Sequence, residues 1–195
     1  RGLAWVKLRW LSKKKPIINF LENVQEFLKW GPVDSRGNAI KSREGETFDG
    51  FVKAITTGLK PSHPSWREAI IELGIEFDMK EKLKLSKGFG YKIDWRILNA
   101  CDYGAATSRP RMFLVSRDDG QDIVWPAPTH GHFSAPLVKS GILQPWKTAG
   151  DIFDFSKPCK SIFSRKRPLA ENTLKRISRC AYEFVINNET PFFIP

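Results

Sequence analysis

Cysteine is scarce in this sequence. The 195 residues hold three, Cys101, Cys159 and Cys180, far apart, with no C-x-x-C pair and no histidine at metal-ligand spacing. That argues against the disulfide framework of small secreted domains and against a structural zinc site. Cys101, Cys159 and Cys180 are therefore expected to act as small apolar packing residues, since nothing around them signals an activated thiolate. Long apolar runs are missing too. None approaches the ~20 residues that cross a bilayer, and the opening residues lack the apolar core of a signal peptide. An intracellular, cytoplasmic protein with no membrane partner is expected. Acidic residues are the minority charge, 21 Asp+Glu against 32 Lys+Arg, for a net charge of +11 and a pI near 9.7. A surface of that sign attracts polyanions, and nucleic acid leads among them. Lysines that merely solvate their faces are the alternative that composition leaves open.

What is present suits a globular domain: 41% of residues are hydrophobic, enough to bury one core. Leu3, Val6, Leu8, Trp10 and Leu11 recur with helical spacing and stop at Lys13-Lys14-Lys15-Pro16. Ile17-Ile18-Asn19-Phe20-Leu21 follows, a short apolar run that suits a buried strand over 16–22. Glu22-Asn23-Val24 closes it, where open α/β sheets hold ligands. Residues 31–47 are polar and loop-like. Phe48, Phe51, Val52, Ile55 and Leu59 predict a helix, and Trp66, Ala69, Ile70 and Leu73 a second, both covering a sheet. Lys80 to Lys87 is dense in charge, and Gly88-Phe89-Gly90 reads as a turn rather than a phosphate cradle.

Tyr91, Ile93, Trp95 and Ile97 alternate with Lys92, Asp94 and Arg96, the period of a half-buried strand over 91–98. Met112-Phe113-Leu114-Val115 marks another over 111–117, and the two are expected to pair antiparallel. Beyond Gln121 prolines at 126, 128, 136 and 145 suggest an extended linker. His130 and His132 flank Gly131 without Cys or acidic partners nearby in sequence, so a loop is expected there rather than a metal site. Leu174, Ile177, Tyr182, Phe184, Val185 and Ile186 among Lys175, Arg176 and Arg179 predict a basic amphipathic helix fit to lie along phosphates.

Taken singly, Glu22-Asn23-Val24 and Ser108-Arg109-Pro110-Arg111 are modest signals. Their order is more telling: Arg1-Gly2, helix, strand, Glu22-Asn23-Val24, then Leu98-Asn99-Ala100-Cys101-Asp102-Tyr103-Gly104 leading into Arg109-Pro110-Arg111-Met112-Phe113-Leu114-Val115. This order resembles the DNA cytosine-5 methyltransferases, and Trp125-Pro126-Ala127-Pro128-Thr129-His130-Gly131 resembles that family's passage into its target-recognition region. The resemblance implies a partial Rossmann-like α/β methyltransferase domain over 1–120, with a linker and the start of a target-recognition region over 121–195. It implies double-stranded DNA as partner and S-adenosylmethionine as methyl donor, in a bacterial or phage setting.

In such enzymes a cysteine thiolate adds to C6 of a flipped-out cytosine before C5 is methylated. The resemblance assigns Glu22 to N3 and Arg111 to O2 of that base, where a carboxylic acid and a cation stabilise the charge pushed onto the ring. Glu22 would need enclosure in a closed pocket to donate a proton at neutral pH, and a flipped base would supply it. Arg109 and Asn23 are the substrate-side candidates, Arg109 for a phosphate or loop contact and Asn23 with an amide suited to tying backbone together. The family's Pro-Cys-Gln motif and its Gly-rich cofactor loop do not occur here. Cys101 sits where the family has no nucleophile. The sequence is accordingly expected to be a fragment, inactive alone, with a non-catalytic DNA-binding or complementing subunit as the alternative. An unpaired edge on the 16–22 strand would invite self-association.

Overall fold

The computed structural model describes residues 2–152, 154, 156, 161 and 165–183. It divides into two compact units, Arg1–Asn99 with Arg109–Pro128, and Ala100–Ser108 with Thr129–Pro195.

In the first unit α1 (Leu3–Lys14) buries Trp5, Leu8 and Leu11, a stripe three residues apart. Lys13 and Lys14 occupy its last turn, where cations suit the unpaired carbonyls. Lys15 ends the helix in the left-handed conformation, its N–H donating to the Leu11 carbonyl, and Pro16 prevents resumption. Strand β1 (Ile18–Asn23) follows. Its apolar run predicts full burial, but exposure alternates: Ile18 and Phe20 are 41% and 71% exposed, while Asn19, Leu21 and Asn23 turn inward. The reason is that helices cover only one face of this sheet.

Residues 31–45 form an ordered loop. Asp34 Oδ1 accepts from the Arg36 and Asn38 backbone N–H groups and shapes a turn closed by a bridge between Val33 and Ala39. Helices α2 (Glu46–Ile55) and α3 (Trp66–Glu72) stand where the periodicity predicts them, except that α2 stops at Ile55 and leaves Leu59 beyond its end. The charged stretch after them is also helical: α4 (Met79–Lys87) is capped by Asp78, whose side chain accepts the Glu81 N–H, and buries only Leu85.

Gly88, Phe89 and Gly90 form the predicted turn. The N–H groups of Phe89, Gly90 and Tyr91 donate to the carbonyls of Ala54, Thr56 and Ile55 at the end of α2. They are thus committed to the protein and closed to a phosphate. Gly88 has a φ of 79°, and a Cβ there would lie 2.4 Å from both the Thr56 oxygen and the Gly58 nitrogen, so only glycine fits.

Strands β2 (Lys92–Asn99) and β3 (Pro110–Arg117) pair antiparallel, as the alternation predicts. Strand β3 also pairs antiparallel with β1, giving the order β1-β3-β2. Hence β1 and β2 run parallel and end at the same edge. Leu21, Ile93, Met112 and Leu114 face the helices and join a core with Trp5, Phe51, Ile55 and Leu59. Aromatic rings bind the layers: Trp5 meets Trp30 and Phe51, and Phe48 meets Trp95 edge-on. The Tyr91 hydroxyl donates to the Pro16 carbonyl, 2.7 Å away, tying the start of β2 to that of β1. The whole unit is a mixed helix-and-sheet fold.

The second unit corrects the linker reading of the proline-punctuated stretch. Strand β4 (His130–Gly131) pairs parallel with β5 (Gln144–Pro145), and α5 (Pro136–Lys139) lies between them in sequence. His130 is buried in a strand instead of standing in a loop. The loop Ala100–Ser108 belongs to this unit: the Asp102 carbonyl accepts the Thr129 N–H at 2.9 Å, and Asp102 Oδ1 accepts from Trp146 Nε1 at 3.0 Å. Gly104, at φ 87°, lies so close to the His130 ring that a Cβ would come within 2.8 Å of Cε1.

Helix α6 (Glu171–Ala181) realises the described part of the predicted basic helix; Phe184, Val185 and Ile186 lie outside the described residues. Its basic face is partly neutralised, because Lys175 pairs with Glu171 and Arg179 with Glu183, both at 2.7 Å. Among the described residues, no helix is long and apolar enough to cross a membrane.

Candidate functional site

Side chains alternate along a strand, so Ile18, Phe20 and Glu22 share a face with their register partners Arg117, Val115 and Phe113. That is the face away from the helices. Arg111 lies two residues before Phe113 on β3, diagonal to Glu22, within reach of a long side chain. The two meet: Arg111 Nε stands 3.0 Å from Glu22 Oε1. The arginine side chain is 18% exposed and the carboxylate 53%. Its Nη1 also donates to the Pro110 carbonyl at 2.8 Å, which fixes the guanidinium plane. The pair sits where β1 ends and β3 begins.

The structure thus brings the two sequence-predicted catalytic candidates together from positions 89 residues apart in the chain. Among the described residues nothing encloses Glu22, since half of the side chain meets solvent. Asn23 turns to the opposite face, and its Oδ1 accepts the Val24 N–H at 2.8 Å, a local tie at the strand end. Arg109 is exposed immediately before β3.

Cys101 is buried, as small-residue packing predicts, and burial, reinforced by the neighbouring Asp102 charge, pushes its thiol above the ordinary range. A thiol so placed is a poor nucleophile. Cys180 departs from the packing expectation and is exposed on α6; Cys159 lies outside the described residues. Among the described residues no three His, Cys, Asp or Glu side chains gather to hold a metal ion.

Sequence reasoning overlooked three residues on the same sheet face. Trp125, from the segment after β3, donates from Nε1 to Asp94 Oδ2 at 2.6 Å, and the Arg96 guanidinium lies 5.4 Å from its ring centre. Arg96 is in register with Phe113, which is in register with Glu22, so one row across the sheet reads Glu22, Phe113, Arg96. The period-two alternation of β2 already put Asp94 and Arg96 on one side; the return of Trp125 had no local signal.

A family model for C-5 cytosine-specific DNA methylase matches residues 76–189, a span that contains Arg109 and Arg111 and begins after Glu22. Type II methyltransferase M1.HphI of Haemophilus parahaemolyticus is 38% identical over 114 residues, 53% of this chain and 31% of that protein. Type II methyltransferase M.AquIA of Picosynechococcus sp. is 26% identical over 99 residues, 49% of this chain and 40% of that protein. The matches therefore span well under half the length of either relative. No solved structure matches. With the family model covering more than half of its residues, this chain belongs to the C-5 cytosine-specific DNA methylases.

Proposed function

We propose that this chain supplies the base-holding part of a DNA cytosine-5 methyltransferase, with Glu22 and Arg111 gripping the target cytosine. The observation that carries the reading is their 3.0 Å contact at the carboxyl end of β1. When a nucleophile adds at C6, negative charge spreads toward N3 and O2. Glu22, once the flipped base encloses it, meets N3 as the proton donor, and the charged fork of Arg111 meets O2. Arg109 steadies the DNA backbone, and Asn23 keeps the end of β1 in shape. The methyl group would come from S-adenosylmethionine, whose chemistry is donation of that carbon.

The glycine turn at 88–90 is closed by the carbonyls of α2 and offers the donor no backbone cradle. The nucleophile likewise belongs to another part of the enzyme, and the chain alone is inactive. The three strands form one end of a Rossmann-like sheet, and the outer edge of β1, unpaired among the described residues, is the seam for a further strand or a second chain. The protein acts on double-stranded DNA in the cytoplasm, as the modification arm of a type II restriction system.

The test is methyl transfer from labelled S-adenosylmethionine to mixed-sequence duplex DNA, by this chain alone and by a longer protein carrying a Pro-Cys-Gln segment. Activity only in the longer protein supports the reading. Activity of the short chain would overturn its dependence on another part. Silence of both, with DNA still bound, would favour a non-catalytic or complementing DNA-binding subunit.

A further inference from the structure

Helix α1 is amphipathic in an unusual sense, because both of its faces carry apolar residues. Opposite the buried Trp5, Leu8 and Leu11, residues Leu3, Val6 and Trp10 stand three and four apart at 87%, 38% and 59% exposure. Lys13 continues that row and Lys14 borders it, both exposed. The helix contains no acidic residue at all: its charges are Lys7, Arg9, Lys13 and Lys14. The outer face is therefore a large aromatic and two aliphatic side chains beside lysines without ion pairs among the described residues.

A second exposed apolar feature has the opposite charge. Between α3 and α4 the chain turns through Glu76-Phe77-Asp78-Met79, with Phe77 98% and Met79 75% exposed. Glu76 is exposed as well. Phe77 projects into solvent on a built scaffold: the Asp78 N–H donates to the Ile75 carbonyl, and the Asp78 side chain caps α4. A phenylalanine held out in this way between two carboxylates has no role in its own core.

The two features adjoin on the first unit. Arg9 of α1 donates to the Glu72 carbonyl at 3.2 Å, just before the turn, and Ser12 donates to Glu81 at 2.8 Å, just after it. The turn that carries the acidic apolar knob thus runs along the flank of α1, the helix that carries the basic apolar row. Copies related by a two-fold axis can then exchange both contacts at once, each knob meeting the other's patch.

We propose that these two features pair two copies of the chain, the Phe77 turn of each copy seating on Leu3, Val6 and Trp10 of the other, with Glu76 against Lys13. Charge complementarity selects the second copy as occupant, since both halves of the match lie on this chain. The contact is separate from the edge of β1 and from Glu22 and Arg111.

Sedimentation equilibrium of the full 195-residue chain, over a roughly hundredfold micromolar concentration range, reads the outcome. The expected result is a mass rising with concentration from 22.3 kDa toward its double. Trp10→Glu and Phe77→Glu should each hold the chain at the monomer mass. Lys13→Glu and Glu76→Lys should each weaken pairing at least several-fold, and the two together should restore it, a recovery that a damaged fold would not give. Circular dichroism of each variant confirms that it is folded. A wild-type chain that stays monomeric throughout overturns the proposal. So does a dimer untouched by Trp10→Glu and Phe77→Glu, which would place association at the β1 edge instead.

Discussion

Arg111 on the central strand and Glu22 on the outer strand hold each other across the sheet, 3.0 Å from Nε to Oε1. The pair is partly exposed, so its share in folding is small, about 1 kcal/mol or less. Its value lies in aim. We predict that Glu22→Gln in a complete enzyme lowers methyl-transfer turnover by roughly 10²–10⁴-fold, the range for loss of a proton donor, and changes DNA affinity little. Arg111→Lys keeps the charge but loses the fork, and is expected to impair turnover as well. Single-turnover rates beside a DNA-binding titration check both, and unchanged turnover in Glu22→Gln removes that residue from the reaction.

Lys7 gives a pH signature to stability. Its Nζ is enclosed without a hydrogen-bond partner, and burial lowers its pKa from 10.5 to about 8. Below that value both folded and unfolded chains carry the proton, and the folded one bears the cost. Between the two values only the unfolded chain keeps it, so stability rises with pH across this window. The gain is roughly 1–3 kcal/mol, scaled down because part of the side chain meets solvent. Lys7→Met should raise the melting temperature at pH 7 and flatten the rise. The comparison of the two proteins isolates Lys7, because Cys101 and Tyr91, both raised by burial, act in the opposite sense at alkaline pH.

Gly88→Ala is expected to destabilise the first unit by at least about 2 kcal/mol, combining left-handed strain with a clash against backbone that cannot step aside. The new Cβ meets the Thr56 carbonyl and the Gly58 nitrogen. Denaturant unfolding measures the loss. Gly90→Ala is the control, with the same sign of φ and nothing within 4 Å, and should cost clearly less.

Trp146→Phe removes the donor to Asp102 in the second unit. A hydrogen bond to a charged acceptor contributes about 1.5–3 kcal/mol. The loss should appear as faster hydrogen exchange at the Thr129 amide, which donates to the Asp102 carbonyl. Unchanged exchange there would show that the indole does not hold the loop.

Much of this architecture is legible in the sequence because the hydrophobic period survives in it. Trp5, Leu8 and Leu11, and the alternation from Tyr91 to Ile97, name their elements directly. Helix α4 hides because it buries one residue, Leu85, and so has no apolar stripe; its only marks are the Asp78 cap and Gly88. Pairing of β1 with β3 joins residues about 90 apart in the chain, which no local pattern encodes. The exposure of Phe20 was illegible for another reason: an apolar run shows that a strand has two apolar faces without showing that both are covered. As for the site, Glu22 and Arg111 were named by motif, while the return of Trp125 to Asp94 and Arg96 is tertiary and left no trace in spacing.

The chain passes between its two units three times, after Asn99, after Ser108 and after Pro128. A domain exchange with a relative that cut only at Pro128 would therefore divide the second unit. It would keep Asp102 and Gly104 from one parent and take their partners Thr129, His130 and Trp146 from the other. Chimeras that transplant residues 100–108 together with everything after 128 respect the boundary that the fold itself draws, and the short loop between β2 and β3 becomes the piece of the donor most easily left behind.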